Sequence, residues 1–136
     1  MRVVLDTNVI VSGLPNPSGA PGRVLDLLLA GHLSTLYDDR VLTEYRDVVA
    51  RPRLGIDQGM AGVVPDHLVR TGELVVAPPL AIQLPDASDR PFVEVAAAGA
   101  AYALVTGSGR HFAAARFILA TPILTPAQFL DLWRTR

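Results

Sequence analysis

The chain opens on the apolar run Val3-Val4-Leu5 and turns abruptly polar at Asp6-Thr7-Asn8, which predicts a short buried strand over Arg2 to Leu5 followed by a turn. Thr7 to Leu14 can start a helix, with Asp6 or Thr7 as its cap, before Pro15-Asn16-Pro17-Ser18-Gly19 breaks the chain. Ala20 to Gly31 is a clearer helix, with Val24, Leu25, Leu27, Leu28 and Leu29 inside it and Gly31 at its end. Leu33 to Tyr37 is a second strand candidate. Asp38-Asp39 then puts acidic residues in the first turn of a helix whose stripe is Val41, Leu42, Tyr45, Val48 and Val49, and which stops at Arg51 because Pro52 follows. Asp57 to Gly72 reads as another helix or a helical pair, Leu74-Val75-Val76 as a third strand, and Ala77 to Pro85 as a loop. Phe92 to Ala100 is an Ala-rich helix, and Tyr102 to Thr106 a further strand. A short helix near Arg110 to Arg116 and an edge strand at Ile123-Leu124 come next. Pro126 then opens a last helix with Thr125 as N-cap.

Strands alternating with helices predict an α/β fold. The expectation is a three-layer α/β/α sandwich around a mostly parallel sheet of four to five strands, with residues 1–136 as one domain. A chain of 136 residues, half of them hydrophobic, has enough material for such a core. There is no cysteine, which excludes disulfides and thiolate metal sites. The first residues lack the pattern of a signal peptide, and no stretch approaches the ~18 apolar residues of a membrane span. The expectation is therefore a cytoplasmic protein with no membrane partner. A net charge of −1 gives no global basic field of the kind that marks many nucleic-acid binders. All 12 basic residues are arginine; guanidinium forks suit phosphate, but abundant Ala, Gly and Pro favour coding bias in a GC-rich genome as the reason.

Three carboxylates stand out among the 13. Asp6 ends the first strand, and in an open α/β sheet ligands gather at the carboxyl ends of strands. Glu44 lies ~100° from the mean direction of its helix's apolar stripe, at the stripe's edge, where a carboxylate can lean into a cleft or pair on the surface with Arg40. Asp89 follows Asp86 by three residues, just before Arg90-Pro91. Clustered in space, such carboxylates would form an oxygen site for a hard divalent cation. Each also has a plainer role: Asp6 as an N-cap, and Asp86, Ser88 or Asp89 as caps of the helix that follows. The histidines, His32, His67 and His111, show no ligand spacing; His111, after Gly107-Ser108-Gly109, is either a surface residue or faces the cleft.

Leu5-Asp6-Thr7-Asn8-Val9 resembles the opening motif of PIN domains. Leu42-Thr43-Glu44-Tyr45-Arg46 is similar to their central acidic helix. Asp86-Ala87-Ser88-Asp89-Arg90-Pro91-Phe92 with Leu104-Val105-Thr106-Gly107 resembles their third acidic position and the strand after it. Pro122 to Leu130 fits the PilT-N-terminal-like, VapC-type branch. The resemblance implies a PIN-like fold and an Mg²⁺- or Mn²⁺-dependent endoribonuclease, of the kind that serves as the toxin of a toxin–antitoxin pair. Asp6, Glu44 and Asp89 would be the catalytic, metal-holding acids, and Asp86 a secondary metal ligand. Thr7, Asn8, Thr106 and Ser108 would support them, with Arg90 and Arg110 flanking the site to meet RNA phosphates. It also implies an RNA substrate, a homodimer and a possible cognate antitoxin. One departure stands out: the place where these domains commonly carry a fourth acid is Ser108, which leaves a second metal open. A catalytically weakened or inactive PIN module that binds RNA or protein is the alternative. A receiver-like or nucleotide-binding domain would need a Gly-rich phosphate loop after the first strand, and Asp6-Thr7-Asn8-Val9 offers none.

Overall fold

The computed structural model describes all of residues 1–136. Five strands, β1 (Arg2–Leu5), β2 (Ser34–Tyr37), β3 (Glu73–Leu74), β4 (Ala103–Val105) and β5 (Ile123–Leu124), form one parallel sheet in the order β3-β2-β1-β4-β5. Seven helices cover it: α1 (Thr7–Gly13), α2 (Ala20–Leu29), α3 (Asp39–Val49), α4 (Gln58–Ala61), α5 (Val63–Thr71), α6 (Arg90–Ala98) and α7 (Pro126–Thr135). The expected α/β architecture and five-stranded sheet are what the chain forms. No helix is long and apolar enough to cross a membrane.

β1 is central because it is apolar on both faces. Val3, Val4 and Leu5 are all 1% exposed or less, as a strand covered by helices on both sides requires. It pairs with β2 on one side (Val3 with Thr35) and β4 on the other (Val3 with Ala103, Leu5 with Val105). The chain leaves β1 toward β2 and later crosses back to β4, so the strand order reverses beside β1. That reversal leaves a crevice at the carboxyl ends of β1 and β4, where Asp6 and Thr106 stand.

The helix boundaries follow local chemistry. Asp38 caps α3 by accepting from the Arg40 and Val41 amides at 3.0 and 3.1 Å. Thr125 and Gln128 form a reciprocal capping box at the start of α7, with Pro126 as first residue. Gly31, with φ +86°, takes the left-handed turn that follows α2.

Three expectations are corrected. The strand foreseen at Leu74-Val75-Val76 pairs only over Glu73–Leu74; it is the sheet edge, Val76 is 93% exposed, and the chain departs toward Pro78-Pro79, which have no amides to give a ladder. The helix expected near Arg110 to Arg116 is a 3₁₀ run over Gly109–Phe117. Its only buried side chains are Phe112 and Ala115, three residues apart, a spacing that a three-residue turn satisfies. Arg40, offered as a partner for Glu44, instead pairs with Asp38 and Glu94, both at 2.7 Å.

Candidate active site

Asp6 follows β1 directly, its own amide bonded to the Val105 carbonyl of β4 at 2.9 Å, so sheet pairing fixes where its side chain emerges. It occupies the N-cap position of α1 yet makes no side-chain capping bond. Its Oδ2 instead accepts a 2.7 Å hydrogen bond from the Thr106 hydroxyl at the end of β4. Thr106 in turn accepts from the Ser108 amide at 3.0 Å. Thr106 is fully buried and Asp6 is 6% exposed. Burial is the main cause that raises the Asp6 pKa, with nearby Glu44 adding to it; the Thr106 hydroxyl and the Thr7 backbone hold it back.

Glu44 enters from α3. The Thr7 hydroxyl donates to its Oε2, tying α3 to the first turn of α1. Tyr45, the next residue, is buried and donates to the Leu5 carbonyl, which anchors α3 against the end of β1. Glu44 therefore lies on the cleft side of α3, one residue from the aromatic that locks the helix in place.

Asp86 and Asp89 arrive on a 3₁₀ turn (Ala87–Asp89) that leads into α6. Asp86 caps it, accepting from the Ser88 amide at 2.9 Å and hydroxyl at 2.7 Å, and these bonds lower its pKa. Capping thus falls to Asp86, which leaves Asp89 without a capping bond and free to face the cleft. The pKa of Asp89 is pushed up to about 6, by partial burial first and then by the charges of Asp6, Asp86 and Glu44.

A cleft of about 400 Å³ is lined by Asp6, Glu44, Asp86 and Asp89, and also by Thr7, Asn8, Ser88, Ser108, Val48, Arg51 and His111. Asn8 and Ser108 close one side: the Asn8 amide donates to Ser108 Oγ at 3.1 Å, and Asn8 Oδ1 accepts from the Gly107 amide at 3.2 Å. The four acids singled out in the sequence meet here with Thr7, Asn8 and Ser108, while Thr106 lies buried behind Asp6. Arg90 does not: it bonds the Leu80 carbonyl at 2.8 Å and lies 3.4 Å from Glu94. Arg110 is exposed and outside the cleft lining. The arginine that does line the cleft is Arg51. Its signal was its spacing, since Arg51 stands just past the end of α3 at i+7 from Glu44, in line with Val48 at i+4.

None of the ion pairs in the molecule involves Asp6, Glu44, Asp86 or Asp89. No three His, Asp or Glu side chains close into a ready-made coordination shell. Negative charge is nonetheless concentrated in one cleft on acids that no ion pair engages, Asp6 and Glu44 being held by neutral hydroxyls. That donor set fits a hard cation that keeps much of its water shell, as Mg²⁺ does, better than one that needs a closed protein cage.

A family model of the PIN domain matches residues 2–108, which takes in every one of these acids. The chain belongs to the PIN-domain family. A stretch of 54 residues is 37% identical to an uncharacterized protein of Methanocaldococcus jannaschii; it makes up 40% of this PIN chain and 35% of that relative, so the chain spans only about a third of the relative's length. Among solved structures, this PIN domain is similar in fold to a chain of VapBC2 from Rickettsia felis, crystallised bound to a DNA fragment from their promoter. The TM-score is 0.59 at 18% identity, over 92% of this chain and 98% of that one.

One structural residue of this PIN domain escaped the sequence reading. Glu94, on α6, is 2% exposed, pairs with Arg40 at 2.7 Å and accepts from the Leu80 amide at 2.8 Å. These partners and Arg90 keep its pKa below the usual glutamate value despite burial. Through Leu80 it ties the loop before Asp86 to the helix after Asp89. A charged residue inside the apolar run Phe92-Val93-Glu94-Val95 was the available signal.

Proposed function

We propose that this PIN domain is a metal-dependent endoribonuclease of the VapC type, the toxin of a toxin–antitoxin pair, which hydrolyses RNA phosphodiesters with Mg²⁺ or Mn²⁺. The observation that carries the reading is the concentration of Asp6, Glu44 and Asp89 in one cleft at the sheet's switch point with none of them held in an ion pair. A site that neutralised its own acids would have no use for an external divalent ion.

Asp6, Glu44 and Asp89 would hold the cation, with Asp86 at the rim. Bound there, the ion would polarise the phosphoryl oxygen and offset charge on the leaving oxygen. The protein's part is orientation. Thr106 fixes Asp6 and Thr7 fixes Glu44, each by a hydroxyl proton donated to a carboxylate oxygen, so neither acid has to reorganise when a ligand arrives. Asn8 and Ser108 hold the ends of β1 and β4 together beneath the site. The family resemblance supports a homodimer and a peptide antitoxin as partners, and the VapBC2 likeness in fold is in keeping with the latter.

The second reading, a PIN module that binds RNA or protein without cleaving it, is favoured by Ser108 at the fourth position and by the lack of a ready-made shell. Cleavage of structured and single-stranded RNAs, titrated with Mg²⁺ and Mn²⁺, separates the two. The nuclease reading expects metal-dependent cleavage by the wild type that Asp6→Asn and Asp89→Asn abolish. Cleavage that survives both substitutions would remove these residues from the site, and a wild type inert in both metals would leave the binding module.

A further inference from the structure

The acidic cleft has one guanidinium on its wall. Arg51 follows α3 and is exposed; it makes no ion pair and no side-chain hydrogen bond, although four carboxylates line the same cleft. Its backbone is well fixed: its amide donates to the Val48 carbonyl at 3.1 Å, and Pro52 restricts it to the extended region it occupies, φ −70° and ψ 120°. An arginine held at a defined place, beside acids it does not bond, is available for an anion that is not part of the protein.

We propose that Arg51 is a substrate-binding residue that grips a backbone phosphate of a single-stranded nucleic acid, next to the phosphate at the carboxylates. The inference rests on the nuclease reading and gives it a direction. Glu44 and Arg51 are seven residues apart, about two helical turns or ~10 Å along the axis, and do not pair with each other, so they can meet successive phosphates of one strand. Val48 lies between them on the same stripe and offers the cleft an apolar floor. The strand therefore runs along α3, from Glu44 past Val48 to Arg51. A planar guanidinium suits a phosphate oxygen pair, and a fork of this kind gives position as well as attraction. The two arginines that flank the acids in sequence do not compete for the role, since Arg90 is engaged by Leu80 and Glu94 and Arg110 lies outside the cleft.

The test compares wild type with Arg51→Gln and Arg51→Lys on a short single-stranded oligoribonucleotide in Mn²⁺, over a range of salt. Arg53→Gln, an exposed arginine outside the cleft, is the control. Arg51→Gln is expected to raise KM about tenfold with kcat changed less than about threefold. The slope of log affinity against log salt should fall by about 0.7, the loss of one contact to a single strand. Arg51→Lys should recover part of the KM and the salt slope, while Arg53→Gln matches wild type. The same salt series, followed by fluorescence anisotropy in the Asp89→Asn background, reads RNA binding without cleavage. A dependence on Arg51 there, with an inert wild type, would keep the phosphate grip and remove the nuclease. Equal KM and salt slope in wild type and Arg51→Gln would overturn the proposal, as would a loss confined to kcat.

Discussion

Asp89 carries the sharpest consequence of crowding like charges. Its carboxyl ionises at about 6 in the folded protein, against 3.8 without the fold, so between those values the folded state holds the proton more tightly than the unfolded one. Stability attributable to this group is therefore full below pH 3.8 and is lost as pH rises through about 6. Asp89→Asn removes that loss: its melting temperature should exceed the wild type's above pH 6 and converge with it near pH 4 in metal-free buffer. Cleavage by the same variant should fall by more than the ~10–100-fold typical of removing a supporting hydrogen bond. A variant that is more stable and less active separates a site residue from a structural one. Thr106→Val tests the opposite case. The methyl leaves buried Asp6 without its hydroxyl donor, which should cost about 1–3 kcal/mol in urea denaturation and weaken Mn²⁺ binding by ~10–100-fold in calorimetry.

At the level of elements, the site stands on contacts that never reach the cleft. Glu94 joins α6, α3 and the loop before Asp86 through Arg40, Arg90 and the Leu80 amide. Glu94→Ala leaves Arg40 with only Asp38 and takes the acceptor from the Leu80 amide. Arg40 and Arg90 are half exposed and keep water, so the cost is that of the Leu80 amide left without its acceptor, about 1–3 kcal/mol by chemical denaturation, with faster proteolysis in the loop from Ala77 to Pro85. The connection between α1 and α2 is tight for a different reason. A Cβ on Gly22 would lie 2.4 Å from the Asn16 carbonyl oxygen and 2.6 Å from the Pro17 Cα, both backbone atoms. Gly22→Ala should thus lower the melting temperature, whereas the same change at open Gly59 should not.

Across the whole molecule, what the sequence disclosed follows how directly periodicity maps onto burial. β1 and β4 were legible because a fully covered strand shows an unbroken apolar run, and α3 because one stripe of valines faces the sheet. β3 was overread: Leu74-Val75-Val76 has strand composition, but at a sheet edge composition does not fix how far pairing extends. The acids were found by order along the chain, yet their supports were only partly visible. That Thr7 holds Glu44 and Thr106 holds Asp6 depends on which strands are neighbours, a matter of topology. Arg51 and Glu94 were missed because an arginine beside a proline and a lone glutamate in an apolar helix each have common surface explanations. The open charge of the cleft also has a global reading. If the site takes a cation, Mn²⁺ at 100 times its Kd should add about 2.7 kcal/mol to the unfolding free energy. The added stability should vanish with a chelator and in Asp6→Asn.

The Ser108–Thr106–Asp6 chain has a sense of travel. The Thr106 oxygen accepts from the Ser108 amide, and its single proton goes to Asp6 Oδ2. In a fully buried residue that proton has no route to water while the bonds stand, so it should exchange slowly enough to appear as a distinct hydroxyl resonance. Its lifetime would then act as a clock for opening of the β1–β4 junction, ticking in the protein without metal, substrate or partner.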